Sequence, residues 1–470
     1  MPSDQESTSM SPYRVLIIGG SYAGLAAAAN LLDLSEGRPP RFNPTLERDA
    51  NLRYKVPVQI TVVDERDGYY HLIGSPLALA SEDYAEKAWV KFEDLAAFQD
   101  SAVEFKQGSV QAVDCENLTA TIQAHGSSEQ YEQKYDFLVA ASGLRRPWPV
   151  VPQSLTRAEY LNEAQTNIDA TKAAKDGVVI IGGGAVGVEM AAELKMVQPD
   201  TKVTLIHSRD KLLSAEPLPD EFKDAIAPLV RSAGVELILN ARVNAVTPSP
   251  TDPNTRTLTL SNNTILTASH VITAISKSTP TTNYLPASAL DTEGHVKIAP
   301  TLHFTSDLPG PHARAHFAVG DIAAWSGIKR CGAAMHMGHY AAYNIHQTLL
   351  ARLHSDRDYT PKFLSLAEHP PMIGLAVGRN AVTYGPADGV KSGEEVERLM
   401  FGGDLGWTIC WRYLRLGERK PAAAPEVEEA EKTEVVDARE GLRKLEFNEP
   451  ERLEELPAEG RRAVVVASAA

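Results

Sequence analysis

Cysteine is scarce in this 470-residue sequence: only Cys115, Cys331 and Cys410 occur, and no two stand at a Cys-x-x-Cys or metal-ligand spacing. That argues against a disulfide scaffold and a zinc site, and fits a reducing compartment. Positive charge is also in deficit. The net charge of -15 disfavours approach to a phosphate backbone, so nucleic-acid binding is not expected. The N-terminal Met1-Pro2-Ser3-Asp4-Gln5-Glu6 lacks the basic region of a secretory signal and the Arg-rich pattern of a mitochondrial presequence. Pro2 excludes N-myristoylation, and no apolar run is long enough to span a bilayer. The expectation is a cytoplasmic protein, with peripheral contact to intracellular membranes left open.

What is present is a repeated grammar. Val15-Leu16-Ile17-Ile18 reads as a strand buried on both faces, followed by Gly19-Gly20-Ser21-Tyr22-Ala23-Gly24 and an alanine-rich helix. After an insertion-like stretch from about Ser35 to Val56, Gln59 to Val63 reads as the next strand. The grammar recurs as the strand Val178 to Ile181, the turn Gly182-Gly183-Gly184-Ala185-Val186-Gly187, a helix through Met196 and the strand Val203 to Ile206. This predicts a duplicated α/β architecture. Glu418 to Ala470 is rich in Pro, Ala and Glu and reads as a disordered tail without a catalytic role.

Each glycine turn has a mechanism. The first glycine makes the tight turn, the second admits a pyrophosphate, and the third lets helix pack on strand, whose N-terminus faces the phosphates. Gly182, Gly184 and Gly187 match in full, whereas Ser21 replaces the middle glycine of the first copy. The next strand tips differ. Asp64 can accept hydrogen bonds from ribose hydroxyls, while His207-Ser208-Arg209-Asp210-Lys211 has no acid at its tip. Arg209 and Lys211 there can accommodate a 2′-phosphate, leaving NADPH beside NADH. Three further strands return toward these turns: Phe137 to Ala141 ending in Ser142-Gly143, Val271 to Ile275, and Phe317-Ala318-Val319 ending in Gly320-Asp321 ahead of a helix from Ala333 to Leu350.

From about Tyr13 to Leu416 this order resembles the FAD-dependent flavoproteins with two dinucleotide-binding domains, the pyridine nucleotide-disulfide oxidoreductase superfamily. Within it the chain looks most like the apoptosis-inducing-factor-like branch, which includes the ferroptosis-suppressor NAD(P)H:quinone oxidoreductases and fungal relatives. Ile17 to Gly24, Thr204 to Ser208, Val319-Gly320-Asp321, Met335 to Ala342 and Gly403 to Trp411 carry the likeness. It implies an α/β fold of two Rossmann-like domains, one inserted in the other, plus a small C-terminal α+β domain. The expected division is a disordered arm over 1–12, an FAD-binding domain over 13–150 and 276–355, an NAD(P)H-binding domain over 151–275, a C-terminal domain over 356–418, and a disordered acidic tail over 419–470. It implies FAD contacts at Gly19, Gly20, Ser21, Tyr22, Ala23, Gly24, Asp64, Val110 (by its backbone), Ser142, Gly143, Gly320 and Asp321. Nicotinamide dinucleotide contacts fall at Gly182, Gly184, Gly187, His207 and Arg209.

Disulfide-reducing relatives place a cysteine pair beside the flavin. No such pair is visible here, which leaves Cys331 as an isolated, packed thiol and disulfide or sulfide:quinone chemistry without its residues. The remaining reaction needs no protein nucleophile: hydride passes from nicotinamide to flavin, and electrons leave to a quinone-like acceptor. Trp407, Trp411 and Tyr413 offer an apolar access for it, with Arg412, Arg415 and Lys420 toward anionic lipid headgroups, unless these are packing aromatics and a solvated face. The alternatives are a biosynthetic or protein-partner flavin reductase, and a redox-sensing cell-death-type flavoprotein with little turnover.

Overall fold

A computed structural model describes residues 11–41, 54–250, 252–275, 278–305, 312–354 and 359–419. The expected acidic tail, with Lys420, lies outside these residues apart from Arg419, as do most of the expected N-terminal arm and much of the insertion after Ser35.

The largest sheet runs in the order His316–Ala318, Phe137–Ala140, Tyr13–Ile18, Val58–Asp64, Val103–Asp114, Thr119–Ala124 and Gln130–Lys134. Its first five strands are parallel and the last two add as an antiparallel meander. Val15 to Ile18 are buried, as expected of a central strand covered on both faces. Ile18 is in register with Val63 on one side and Ala140 on the other. The chain leaves this strand toward both neighbours, so a crevice opens at its carboxyl end, where open α/β sheets bind ligands.

Between Phe137–Ala140 and His316–Ala318 the chain builds a second parallel sheet, ordered Glu236–Ile238, Val203–Ile206, Val178–Ile181 and His270–Thr273. The second unit is therefore inserted in the first. Its returning strand stops at Thr273, two residues short of the expected Ile275. A three-stranded antiparallel sheet follows late in the chain (Ile373–Val377, Asn380–Gly385, Gly389–Gly393), with the short helices Glu394–Met400 and Trp407–Tyr413.

Two helices set the position of the first site. Tyr22–Ser35 is buried at every residue, so its alanines serve as a packing surface on all sides. Against it lies Cys331–Leu353, which begins two residues before the expected Ala333. Gly338 makes the approach close: a Cβ there would stand 2.2 Å from the Ala23 carbonyl oxygen.

Candidate functional site

A cavity of about 490 Å³ opens at the carboxyl end of Tyr13–Ile18. Gly19 turns the chain with φ +109°, and a Cβ on it would meet the Ala141 carbonyl oxygen at 2.3 Å. Gly24 lies so near the Gly19 carbonyl that a Cβ would stand 1.8 Å from it, which is why helix can follow strand this tightly. Ser21 caps the helix without a side-chain capping bond, leaving the first-turn N–H groups to face the cavity.

The strand tip locks this turn. Asp64 Oδ2 accepts from the Gly20 N–H at 2.6 Å and Oδ1 accepts from the Arg66 N–H at 2.8 Å. Burial raises the Asp64 carboxyl above its ordinary range, against the pull of Arg66. Of the twelve residues expected on this side, all but Gly24 line the cavity. Ser142 contributes wall, its hydroxyl being committed to the Thr281 carbonyl at 2.8 Å. Asp321 follows Gly320 (φ +73°) and has the buried Arg146 at 3.4 Å.

Sequence reasoning missed much of the far wall. Arg146, Lys329, Arg330 and Cys331 line the cavity, and Lys329 Nζ donates to the Ala323 carbonyl at 2.5 Å. Beside it His71 Nε2 meets the Leu405 carbonyl at 3.0 Å, so this nitrogen donates and Nδ1 accepts. The hydroxyls of Tyr22 and Tyr69 approach Nδ1 at 3.1 and 3.0 Å. Burial brings the His71 pKa down to about 4, keeping the ring neutral. This cluster ties the late-chain segment to the cavity, and no motif announces it.

The second turn repeats the first with one substitution of chemistry. Gly182 takes φ +121°, and a Cβ on Gly187 would stand 1.8 Å from the Gly182 carbonyl oxygen. A Cβ on Gly184 would meet nothing within 4 Å, so this backbone is open to a pyrophosphate. Where Asp64 serves the first turn, His207 Nδ1 accepts from the Gly183 N–H at 3.2 Å, and burial lowers its pKa. Arg209 is exposed, its guanidinium 3.5 Å from the Ser214 hydroxyl. Lys211 is not free as expected: it pairs with Asp224 at 2.8 Å and Asp220 at 3.2 Å. Glu189, also missed, is fully buried in the following helix. Its Oε1 faces the Ala376 N–H at 3.4 Å, and burial pushes its carboxyl well up. Two carboxylates, Glu189 and Glu193, buried in a mostly apolar helix were the available signal.

One open pair of readings is resolved and one expectation is corrected. Trp407 and Trp411 stack on each other with centroids 4.9 Å apart, Trp407 Nε1 donates to the Lys87 carbonyl at 2.9 Å, and neither ring lines the cavity. Tyr413 does not line it either, and Arg415 faces Glu418 at 4.0 Å. These aromatics pack instead of forming an access. Nor is Cys331 isolated: its thiol lies within hydrogen-bonding reach of Cys410, although no disulfide joins them. Chain separation hid the pair, because Cys331 opens one helix and Cys410 sits in another.

A glycine cradle with no room for side chains, a strand-tip carboxylate and a helix N-terminus fit an adenine dinucleotide in the first turn, and the second turn repeats the cradle. Fold and turns together define an FAD-dependent NAD(P)H oxidoreductase. The chain belongs to the pyridine nucleotide-disulphide oxidoreductases, whose family profile matches residues 13–338. It is 53% identical over 435 residues to Oxidoreductase OXR1 of Ajellomyces capsulatus, covering 89% of this chain and 92% of that protein. It is 26% identical over 373 residues to Ferroptosis suppressor protein 1 of Xenopus laevis, covering 78% and 87%. Among solved structures, the sulfide:quinone oxidoreductase of Aquifex aeolicus superposes with a TM-score of 0.57 at 17% identity, covering 86% and 92%. No helix among the described residues is long and apolar enough to cross a membrane.

Proposed function

We propose that this chain passes electrons from NAD(P)H through FAD to a quinone-like acceptor. FAD occupies the first cavity, with Asp64 and Asp321 toward ribose and ribityl hydroxyls, Val110 at the adenine and the Tyr22–Ser35 N-terminus at the pyrophosphate. Residues 13–150 and 276–355 form its domain. Residues 151–275 hold the nicotinamide dinucleotide on Gly182, Gly184, Gly187, His207 and Arg209, and residues 356–418 are a small domain beside the flavin. When bound, the flavin supplies two-electron transfer from the nicotinamide, and the protein positions the rings and excludes water.

The observation that carries the acceptor assignment is a recess sharing Gly320, Asp321, Lys329, Arg330 and Ala334 with the cavity and lined beyond them by Trp325, Ile328, His336, Met337, Leu366 and His369. Apolar walls suit a quinone ring, and Arg330 and the two imidazoles suit its carbonyl oxygens. At about 30 Å³ the recess takes a ring only after Trp325 or Met337 moves aside. The weak likeness to a quinone-linked structure supports the fold alone, while Ferroptosis suppressor protein 1 is a more distant relative than the fungal oxidoreductase.

Widening the recess with Met337→Ala tests this. Lower KM for bulky quinones, with flavin reduction by NAD(P)H unchanged, supports it. Equal effects on ferricyanide and quinone would remove the recess from the path.

A further inference from the structure

The second turn carries a strap that its glycine motif does not account for. Residues 212–214 pack over Gly183: the Leu213 N–H donates to the Gly183 carbonyl at 2.8 Å, and a Cβ on Gly183 would stand 2.5 Å from Leu212 Cδ2. Both leucines are buried, and Leu213 takes φ +50°, a left-handed conformation that a bulky side chain rarely adopts. Such strain persists only where the surroundings hold the chain in place, and it gathers around ligand sites. The strap brings Ser214 to the strand tip. There His207 Nδ1 accepts from the Gly183 N–H at 3.2 Å, so the neutral ring carries its proton on Nε2 and donates it to Ser214 Oγ at 3.1 Å. Arg209, which can only donate, approaches the same oxygen with Nη1 at 3.5 Å. Both lone pairs of Oγ are then used, and its own O–H has no acceptor among the described residues. No carboxylate among those residues is bonded to His207, Arg209 or Ser214; Lys211 is paired with Asp220 and Asp224, and Asp210 is exposed. The tip therefore presents donors alone. A ribose 2′-hydroxyl needs an acceptor for its proton, the part a strand-tip carboxylate takes. A 2′-phosphate, anionic and rich in acceptor oxygens, matches a donor-only tip.

We propose that Ser214 is the residue that selects the nicotinamide dinucleotide: it holds the Arg209 guanidinium at the strand tip, donates its own proton to a 2′-phosphate, and makes NADPH the preferred reductant over NADH. Ser214 is a positioning residue toward Arg209 and a direct contact toward the phosphate. His207 fixes which way the hydroxyl faces, because the bond from Gly183 leaves its ring only Nε2 to donate from. The proposal rests on the reading that the second turn holds a nicotinamide dinucleotide, and the electron acceptor plays no part in it.

The experiment is a calorimetric titration of the full-length, FAD-loaded protein with NADP⁺ and with NAD⁺, which differ only in the 2′-phosphate and cannot reduce the flavin. The wild type should bind NADP⁺ at least about tenfold more tightly than NAD⁺. A hydrogen bond to a charged group is worth roughly 10- to 150-fold in affinity, so Ser214→Ala should weaken NADP⁺ by about tenfold or more and move NAD⁺ by no more than about twofold. A strap that merely supported the turn would weaken both ligands alike. Ser214→Thr keeps the hydroxyl and should restore NADP⁺ binding. Arg209→Gln should show the same selective loss, and it keeps the test intact should Ser214→Ala fail to fold. Equal wild-type affinities for the two ligands, or a Ser214→Ala loss that is absent or common to both, would overturn the proposal and leave the dinucleotide site standing. Binding of neither ligand would overturn the proposal together with the reading beneath it.

Discussion

Replacing Asp64 by Asn probes the first site at the atom that joins fold to cofactor. Its two carboxylate oxygens accept from the Gly20 and Arg66 N–H groups at 2.6 and 2.8 Å. An asparagine offers one acceptor and one donor, so either N–H then faces an NH₂ group in a buried site. An unsatisfied buried donor costs roughly 1–3 kcal/mol, and loss of a charge-assisted bond to a ribose hydroxyl costs about 1.5–3 kcal/mol more. The unsatisfied donor burdens the flavin-free and flavin-bound protein alike and lowers the melting temperature, so only the lost ribose bond enters the FAD equilibrium. That loss of about 1.5–3 kcal/mol corresponds to roughly 10- to 150-fold weaker FAD binding. Titration of flavin-free protein with FAD, followed by quenching of flavin fluorescence, measures it. Wild-type affinity with an unchanged melting temperature would refute the reasoning, since the turn and the cofactor would then both be indifferent to the strand tip.

His207→Asp should reproduce at the second turn the arrangement of Asp64 and Gly20, and repel a 2′-phosphate; kcat/KM for NADH relative to NADPH should rise about tenfold, as steady-state kinetics would show. Burial raises the Glu193 pKa to about 8, so between about pH 4.5 and 8 the unfolded chain gives up a proton that the native state keeps, and stability falls as pH rises through that window. Glu193→Gln keeps an acceptor for the Gly378 N–H and should therefore raise the melting temperature more at about pH 8 than at about pH 5; an equal gain at both would count against it. The buried imidazoles of His71, His303, His316 and His346 have pKa values lowered to about 4, and His336 and His339 to about 3. Their neutral forms support the fold above about pH 6.5, and that support is lost as pH falls toward 4, so thermal melts should already weaken between about pH 6.5 and 5, before most carboxylates titrate. Trp407→Phe should lower stability by about 1–2 kcal/mol through the lost stack and the bond to Lys87 while leaving quinone turnover intact, which pairing thermal melts with acceptor assays would check.

The two glycine turns were readable because each is a local solution: glycine, strand tip and helix start lie within one βαβ unit, so spacing along the chain is spacing in space. Asp64 and His207 were legible for the same reason, although the hydrogen bonds that equate them were not. Asp321 could be placed by its apolar strand and following helix. Cys331 with Cys410, and His71 with Tyr22 and Leu405, belong to three-dimensional adjacency between segments far apart in the chain, and no periodicity encodes it. For Trp407 and Trp411 the sequence allowed both an access and a packing role; the structure satisfies them against each other and against Lys87. Lys211 misled in the opposite way, since its charge was visible in the sequence and its partners Asp220 and Asp224, a helix away, were not expected to claim it.

The central claim is most directly tested by mixing the flavin-loaded protein anaerobically with NADH or NADPH and then adding a short-chain quinone. The account predicts prompt bleaching of the flavin absorbance by the nicotinamide and its prompt return on quinone addition, repeated over many turnovers. A flavin that bleaches and then stays reduced in the presence of quinone would contradict it.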